Sequence, residues 1–243
     1  MKSKLFTAAL AALMLSSCTP KENGYFDNLP QEANPIEIGN KITNRFLEQG
    51  HSQYGSPLRV NEPRTQITYP DVCTWLGGLW FAQETDNKEL TERLKARFEP
   101  LFTNEAYLQP KPNHVDNNVF GAVPLELYLQ TGEERYKTLG MMYADSQWEL
   151  PANWKLKEGE ERQSSMYGDF KDADICQPEQ KEWADKGYSW QTRFWLDDMY
   201  LITTIQAQAY RVTNDRKYID RAAREMVLYL DSIQQTSGLF YHA

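Results

Sequence analysis

The chain has 243 residues, 41% of them apolar and 25% charged, which excludes a polytopic membrane protein and a wholly disordered chain and is ample for a buried core. Acids outnumber bases 34 to 26, the formal net charge is -8, and no Lys/Arg cluster offers a track for phosphates, so nucleic acid is not expected as a partner. Aromatic residues make up 13%, with 14 Tyr and 7 Trp, a stock that suits either a packed helical core or a sugar-stacking cleft.

Lys2 and Lys4 precede an apolar run from Leu5 to Leu15, and Ser16, Ser17 and Cys18 follow. A basic head, an apolar stretch shorter than the ~20 residues of a membrane span and a small-residue zone make a secretory signal. Leu15-Ser16-Ser17-Cys18 resembles a bacterial lipobox. On that reading residues 1–17 are a lipoprotein signal peptide and Cys18 is the lipidated first residue of the mature chain; the alternative is an ordinary signal peptide with a chance cysteine. The lipoprotein reading puts the body in the cell envelope, periplasm or outer membrane, held to the membrane by its lipid alone. Residues 18–33 are polar and aperiodic, with Pro20, Gly24, Asn28 and Pro30, and read as a flexible spacer before a body from 34 to 243.

Apolar periodicity predicts helices over about 35–49, 69–84, 87–101, 118–130, 133–148, 191–212 and 216–234. Three of their junctions repeat one pattern. At Thr85, Thr131 and Thr213 an apolar-periodic helix ends, a turn-tolerant Asp86, Gly132 or Asn214 follows, and Leu90, Tyr136 or Tyr218 falls five residues after the Thr. The intervals indicate helical hairpins with a period in the forties, longer and looser than a tetratricopeptide solenoid. No clean strand alternation is found, so the expected fold is all-α, an (α/α)6 toroid ahead of a simple bundle. Pro151 to Lys186 is polar, acidic and aperiodic and reads as a long excursion over one face. Beyond Cys18, Cys73 and Cys176 have no metal-ligand neighbours; they read as free thiols, with a disulfide as the alternative. With three unpaired His residues, no metal and no other cofactor is expected.

Two acidic constellations stand out. In Asn113-His114-Val115-Asp116-Asn117-Asn118, Asp116 sits at or just before a helix start, where it either caps the helix or serves as a carboxylate whose ionised form the local N–H groups favour. In Trp190 to Tyr200, helical spacing places Asp197 on a face with Trp190, Phe194 and Leu201, and Asp198 on the next with Trp195 and Ile202. At least one carboxylate then faces an aromatic surface, either in a buried salt bridge to Arg193 or another base, or as an acid held protonated by desolvation. One carboxylate and one carboxylic acid make a sugar site plausible.

The blocks His114-Val115-Asp116-Asn117-Asn118 with Leu125-Glu126-Leu127-Tyr128, Trp195-Leu196-Asp197-Asp198-Met199-Tyr200 and Gly238-Leu239-Phe240-Tyr241-His242-Ala243 resemble the unsaturated glucuronyl and rhamnogalacturonyl hydrolases of glycoside hydrolase families 88 and 105. The resemblance spans most of residues 35–243. It implies a metal-free (α/α)6 barrel that removes the terminal 4,5-unsaturated uronic acid from lyase-generated oligosaccharides. It implies catalytic aspartates at Asp116 and Asp197. It also implies substrate contacts at Trp195 and His242, with His114 and Asn117 in the substrate-binding set.

The chain departs from that pattern in length. Members carry about twelve barrel helices, whereas six or seven are counted here, and Ala243 falls before the family's Trp/Arg/Gly-rich pocket segment; the expectation is a C-terminally truncated lipoprotein member holding about half the ring. A non-catalytic glycan-binding surface lipoprotein is the alternative. It would use the same leader and aromatic stock, and its affinity would survive replacement of both aspartates.

Overall fold

A computed structural model describes residues 29–51, 65–150, 155–156, 175–176 and 178–242. The signal peptide and Cys18, and all of the spacer before residue 29, lie outside the described residues. The chain divides into two compact units, Met1–Ile42 and Thr43–Ala243. In the first, the Asn34 side chain accepts from the backbone N–H groups of Ile36 and Glu37 at 2.9 and 3.4 Å, capping helix α1 (Pro35–Glu48).

The second unit is all-α. Among the described residues it contains three successive hairpins: α2 (Tyr69–Glu84) with α3 (Lys88–Phe98), α5 (Ala122–Thr131) with α6 (Glu134–Ser146), and α8 (Asp198–Thr213) with α9 (Arg216–Ile233). This is the toroid expected from the repeat, a partial (α/α)6 barrel. The helix predicted from residue 118 begins instead as a short turn, α4 (Val115–Asn118), and a 3-10 turn over Val119–Gly121, with Pro124 in the first turn of α5 where its missing N–H costs nothing. The predicted excursion holds one further helix, α7 (Pro178–Asp185), and a minimal parallel pair, β1 (Lys155–Leu156) with β2 (Ile175–Cys176). The rest of it lies outside the described residues.

The three Thr junctions share one physical construction. Thr85, Thr131 and Thr213 each donate their hydroxyl to the carbonyl four residues back, each at 2.7 Å. Asp86, Gly132 and Asn214 follow in the left-handed conformation, at φ 48°, 74° and 57°. The second and third junctions close with a backbone bond of 2.7 Å, from Gly132 to Tyr128 and from Asn214 to Tyr210. Leu90, Tyr136 and Tyr218, five residues beyond each Thr, are all buried and anchor the return helix.

Helix α5 packs between α2 and α8. Hydrogen bonds fix the common direction of the three. Toward the C-terminal ends of α2 and α8, Trp80 Nε1 and Arg211 Nη1 both reach Glu126 Oε2, midway along α5, at 2.9 and 2.6 Å. Ahead of their N-terminal ends, Gln66 Nε2 donates to Asn117 Oδ1 at 2.8 Å and Arg193 Nη2 to Asp116 Oδ1 at 2.7 Å. Burial alone would raise the Glu126 carboxyl, but bonds from Gln130, Gln208 and Trp80 and the Arg211 charge outweigh it and hold the carboxyl below its ordinary value. Close crossing of α5 and α6 depends on glycine: a Cβ on Gly140 would lie 2.5 Å from Leu125 Cγ, and one on Gly121 2.5 Å from Tyr143 Cβ.

One predicted element is corrected. The helix expected over 191–212 starts at Asp198, and residues 188–197 form an irregular loop. The face assignments built on helical spacing across Trp190–Asp197 therefore do not hold. Side chains of α9 take up backbone donors of this loop: Glu225 Oε2 accepts from Ser189 N at 3.1 Å, and Tyr229 OH accepts from Arg193 N and Phe194 N at 3.3 and 3.4 Å. Phe194 turns left-handed, at φ 61°, a conformation a bulky aromatic adopts only when its surroundings hold it there. Its ring packs against Trp183 and Tyr229, each with centroids 5.2 Å apart.

Candidate active site

The N-terminal ends of α4 and α8 bring the two acidic constellations together. His114, not Asp116, is the cap of α4: its Nδ1 accepts from Asp116 N at 3.2 Å. That leaves the Asp116 side chain free to reach Arg193, whose Nη2 also lies 2.9 Å from Asp198 Oδ1. Arg193 Nε donates to both oxygens of Asp198 at 3.0 Å, and Tyr229 OH donates to Asp198 Oδ2 at 3.1 Å. Asp198 is fully buried, the Arg193 side chain is 18% exposed and that of Asp116 is 27% exposed. One guanidinium thus ties a carboxylate at the site's edge to one sealed inside.

Asp198 is the buried ion pair with Arg193. Asp197 is half-buried at the residue that opens α8, and among the described residues its Oδ1 is a buried atom with no hydrogen-bond partner. An unpaired buried carboxylate oxygen is costly. The charge of Asp197 acts on both Asp116 and Asp198, so the three acids share one electrostatic site.

Burial raises the Asp116 carboxyl above its ordinary value, although Arg193 opposes the shift. The helix start expected to favour its ionised form is outweighed by this desolvation. Burial likewise raises Asp198 to about 6, against its bonds to Arg193. His114 is pushed down to about 3, first by desolvation and then by the Arg193 charge. The geometry agrees: Asp116 N–H faces Nδ1, and Arg193 Nη1 lies 3.3 Å from Nε2, so protonating the ring would set a new N–H against a donor.

The remaining expected positions fall around this cluster. Trp195 carries the Arg193 Cζ 4.8 Å from its ring and lies 5.4 Å from the His242 ring, and the His242 carbonyl accepts from Leu196 N at 2.8 Å. The antiparallel bridge between Gln234 and Phe240 turns the chain after α9 back toward Leu196. Asn117 is buried, accepting from Gln66 and donating to Asn113 Oδ1 at 3.1 Å; its amide supports the α4 turn. Cys73 is a free thiol, raised by burial and bonded to Tyr200, while Cys176 lies in β2.

Sequence reasoning gave no place to Tyr229 and Glu225, which lie on the next helix, or to His51, which is buried with its Nδ1 2.5 Å from Glu105 Oε2. Only the pairing of Glu225 and Tyr229 at i and i+4 could have marked a polar stripe on α9. Among the described residues no group of three His, Cys, Asp or Glu side chains is placed to hold a metal ion. No helix among them is long and apolar enough to cross a membrane.

No curated protein matches the chain. The family model described as Glycosyl Hydrolase Family 88 matches it over residues 38–243, which takes in all three hairpins, the acid cluster and the segment bearing His242. A glycoside hydrolase acts on a saccharide. The match covers most of the chain, and the chain therefore belongs to Glycosyl Hydrolase Family 88.

Proposed function

We propose that the chain removes the terminal 4,5-unsaturated uronic acid from lyase-generated oligosaccharides by acid-assisted hydration of a vinyl ether. The observation that carries this reading is the buried, unpartnered Oδ1 of Asp197, whose charge acts on Asp116 in the Asp116–Arg193 pair. Asp197 is the general acid and delivers a proton to C4 of the C4=C5 bond, leaving the positive charge shared between C5 and the ring oxygen. Water adds its oxygen at C5 and returns a proton to the carboxylate. The hemiketal then opens at the C5–ring oxygen bond, and the hemiacetal left at C1 expels the aglycone sugar. One water is consumed, and no oxidant or metal is required.

Asp116, pinned by Arg193, orients the sugar and assists the proton traffic; Trp195 stacks on the ring, and His242 and His114 line the same subsite. Asn117 contributes by holding the α4 turn. The test is the loss of the unsaturated-uronate absorbance. Asp197→Asn should slow it on the order of 100- to 10,000-fold in a folded protein, and unchanged turnover sinks the assignment. If the wild-type chain binds such oligosaccharides without turnover and Asp116→Asn with Asp197→Asn leaves affinity intact, it is a glycan-binding protein instead.

The leader supports a lipid-anchored location in the cell envelope, with Cys18 as the modified residue. Labelling with a fatty-acid analogue should tag the wild-type chain and not Cys18→Ser.

A further inference from the structure

Two side chains one turn apart on α9, Glu225 and Tyr229, hold the loop that carries Arg193, Trp195 and Asp197. Tyr229 already belongs to the acid cluster through Asp198. Glu225 does not touch the candidate site, has no ion-pair partner among the described residues, and is nonetheless 1% exposed. A buried acid without a counter-ion is expensive unless it is neutral and hydrogen-bonded.

The bonding around Thr192 shows which. Thr192 Oγ1 lies 2.7 Å from the Ser189 carbonyl and also against Glu225 Oε1. A hydroxyl has one proton, and a carbonyl can only accept. Thr192 therefore donates to Ser189 O, and the Glu225 carboxylic acid donates to Thr192 Oγ1. The other oxygen, Oε2, accepts from Ser189 N–H. Ser189 itself is tied to the end of α6, its hydroxyl donating to Gln147 O at 2.8 Å. The Ser189–Thr192 turn is clamped on both sides, and the chain leaving it enters the left-handed turn at Phe194.

We infer that Glu225 is a positioning residue, acting as a neutral carboxylic acid that clamps Ser189 and Thr192 and thereby sets Arg193 and Trp195 against the acid cluster. The inference rests on the reading of that cluster as the substrate site. Ionisation would convert the acid into an acceptor only, and Thr192 would have to abandon the Ser189 carbonyl to satisfy it. Burial raises the Glu225 carboxyl to about 7, against the bond from Ser189 N–H; the charge of Asp198 on α8 adds to the rise and Arg224 on α9 opposes it. Tyr229 is the other titratable group on the same face of α9, and it stays neutral because burial raises it far above its ordinary value. The clamp is intact below neutrality and loosens above it.

Glutamine reproduces the neutral acid, donating through its NH2 to Thr192 and accepting from Ser189, and cannot ionise. The test follows the indole N–H resonance of Trp195, assigned with Trp195→Phe, and the Nε–H resonance of Arg193, in the full chain on both sides of neutrality. Wild type and Glu225→Gln should coincide at acid pH. Above neutrality wild type should depart while Glu225→Gln stays. Glu225→Ala and Thr192→Val should be displaced throughout. Displacement in Glu225→Gln like that in Glu225→Ala, or a folded Glu225→Ala or Thr192→Val with both resonances at their wild-type positions, overturns the inference. Where wild type turns over substrate, Glu225→Ala should lose on the order of 10- to 100-fold in kcat, the scale of a small misplacement, and Glu225→Gln should restore it. Absence of turnover in wild type counts against the hydrolase reading, while the resonances still decide the clamp.

Discussion

Arg193 Nη2 lies 2.7 Å from Asp116 Oδ1, joining residues 77 apart in sequence, and the same guanidinium holds the buried carboxylate of Asp198. Removing the cation strands that inner charge. Arg193→Met should destabilise the protein by about 3–5 kcal/mol, the cost of breaking a buried pair from one side, measured by denaturant unfolding. Adding Asp198→Asn to Arg193→Met should recover part of the loss, because the stranded charge is gone. A double variant no more stable than Arg193→Met would show that Asp198 is not the group left uncompensated.

Asp197→Asn should separate stability from activity. Its Oδ1 has no hydrogen-bond partner among the described residues, so the substitution should leave the unfolding free energy within about 0.5 kcal/mol of wild type or raise it. Turnover should fall on the order of 100- to 10,000-fold, the contribution of a general acid. A large loss of stability would make Asp197 a structural residue.

His114 gives the site a predictable acid response. Its folded value, near 3, is depressed from 6.5, so the ring binds a proton in the unfolded chain before it does in the folded one. Its contribution to stability is present above about 6.5 and is lost as the pH falls from there toward 3. His114→Gln, which has no such proton to take up, should lose less stability over that interval than wild type. The His114 imidazole should show no titration in NMR spectra between neutrality and pH values well below 6.5; a midpoint near 6.5 would contradict the buried, donor-flanked ring.

Gly140→Ala should be costly out of proportion to one methyl group. The added Cβ would stand 2.5 Å from Leu125 Cγ and 2.8 Å from the Gly121 carbonyl, and a carbonyl cannot rotate away as a side chain can. A loss of about 1–3 kcal/mol, the range of overpacked cores, is expected from thermal or denaturant unfolding. Gly132→Ala should cost about 1–2 kcal/mol for a different reason, its left-handed φ of 74°, since nothing crowds that position.

The helices and the Thr junctions were legible because their physics is local. A Thr hydroxyl bonding four residues back, a left-handed residue next and an apolar anchor five on all lie within about two turns of chain. The repeat therefore marked the hairpins at Thr85, Thr131 and Thr213 without reference to anything distant. The residues of the acid cluster were legible as types, but their partners were not. Helical spacing put Trp190 to Asp197 on a helix, whereas the structure has a loop there whose backbone donors bond to Glu225 and Tyr229, 35 to 36 residues away.

The two aspartates show the same division. Asp197 and Asp198 are chemically identical neighbours, and nothing within a few residues tells them apart. Sequence by itself determined an all-α chain of repeated hairpins with a pair of adjacent acids in an aromatic stretch. Only the tertiary structure decided that Asp198 is sealed against Arg193 and Tyr229 while Asp197 keeps an oxygen without a partner. Burial and counter-ions are supplied by the packing of α4, α8 and α9, and charge acts through space rather than along the chain.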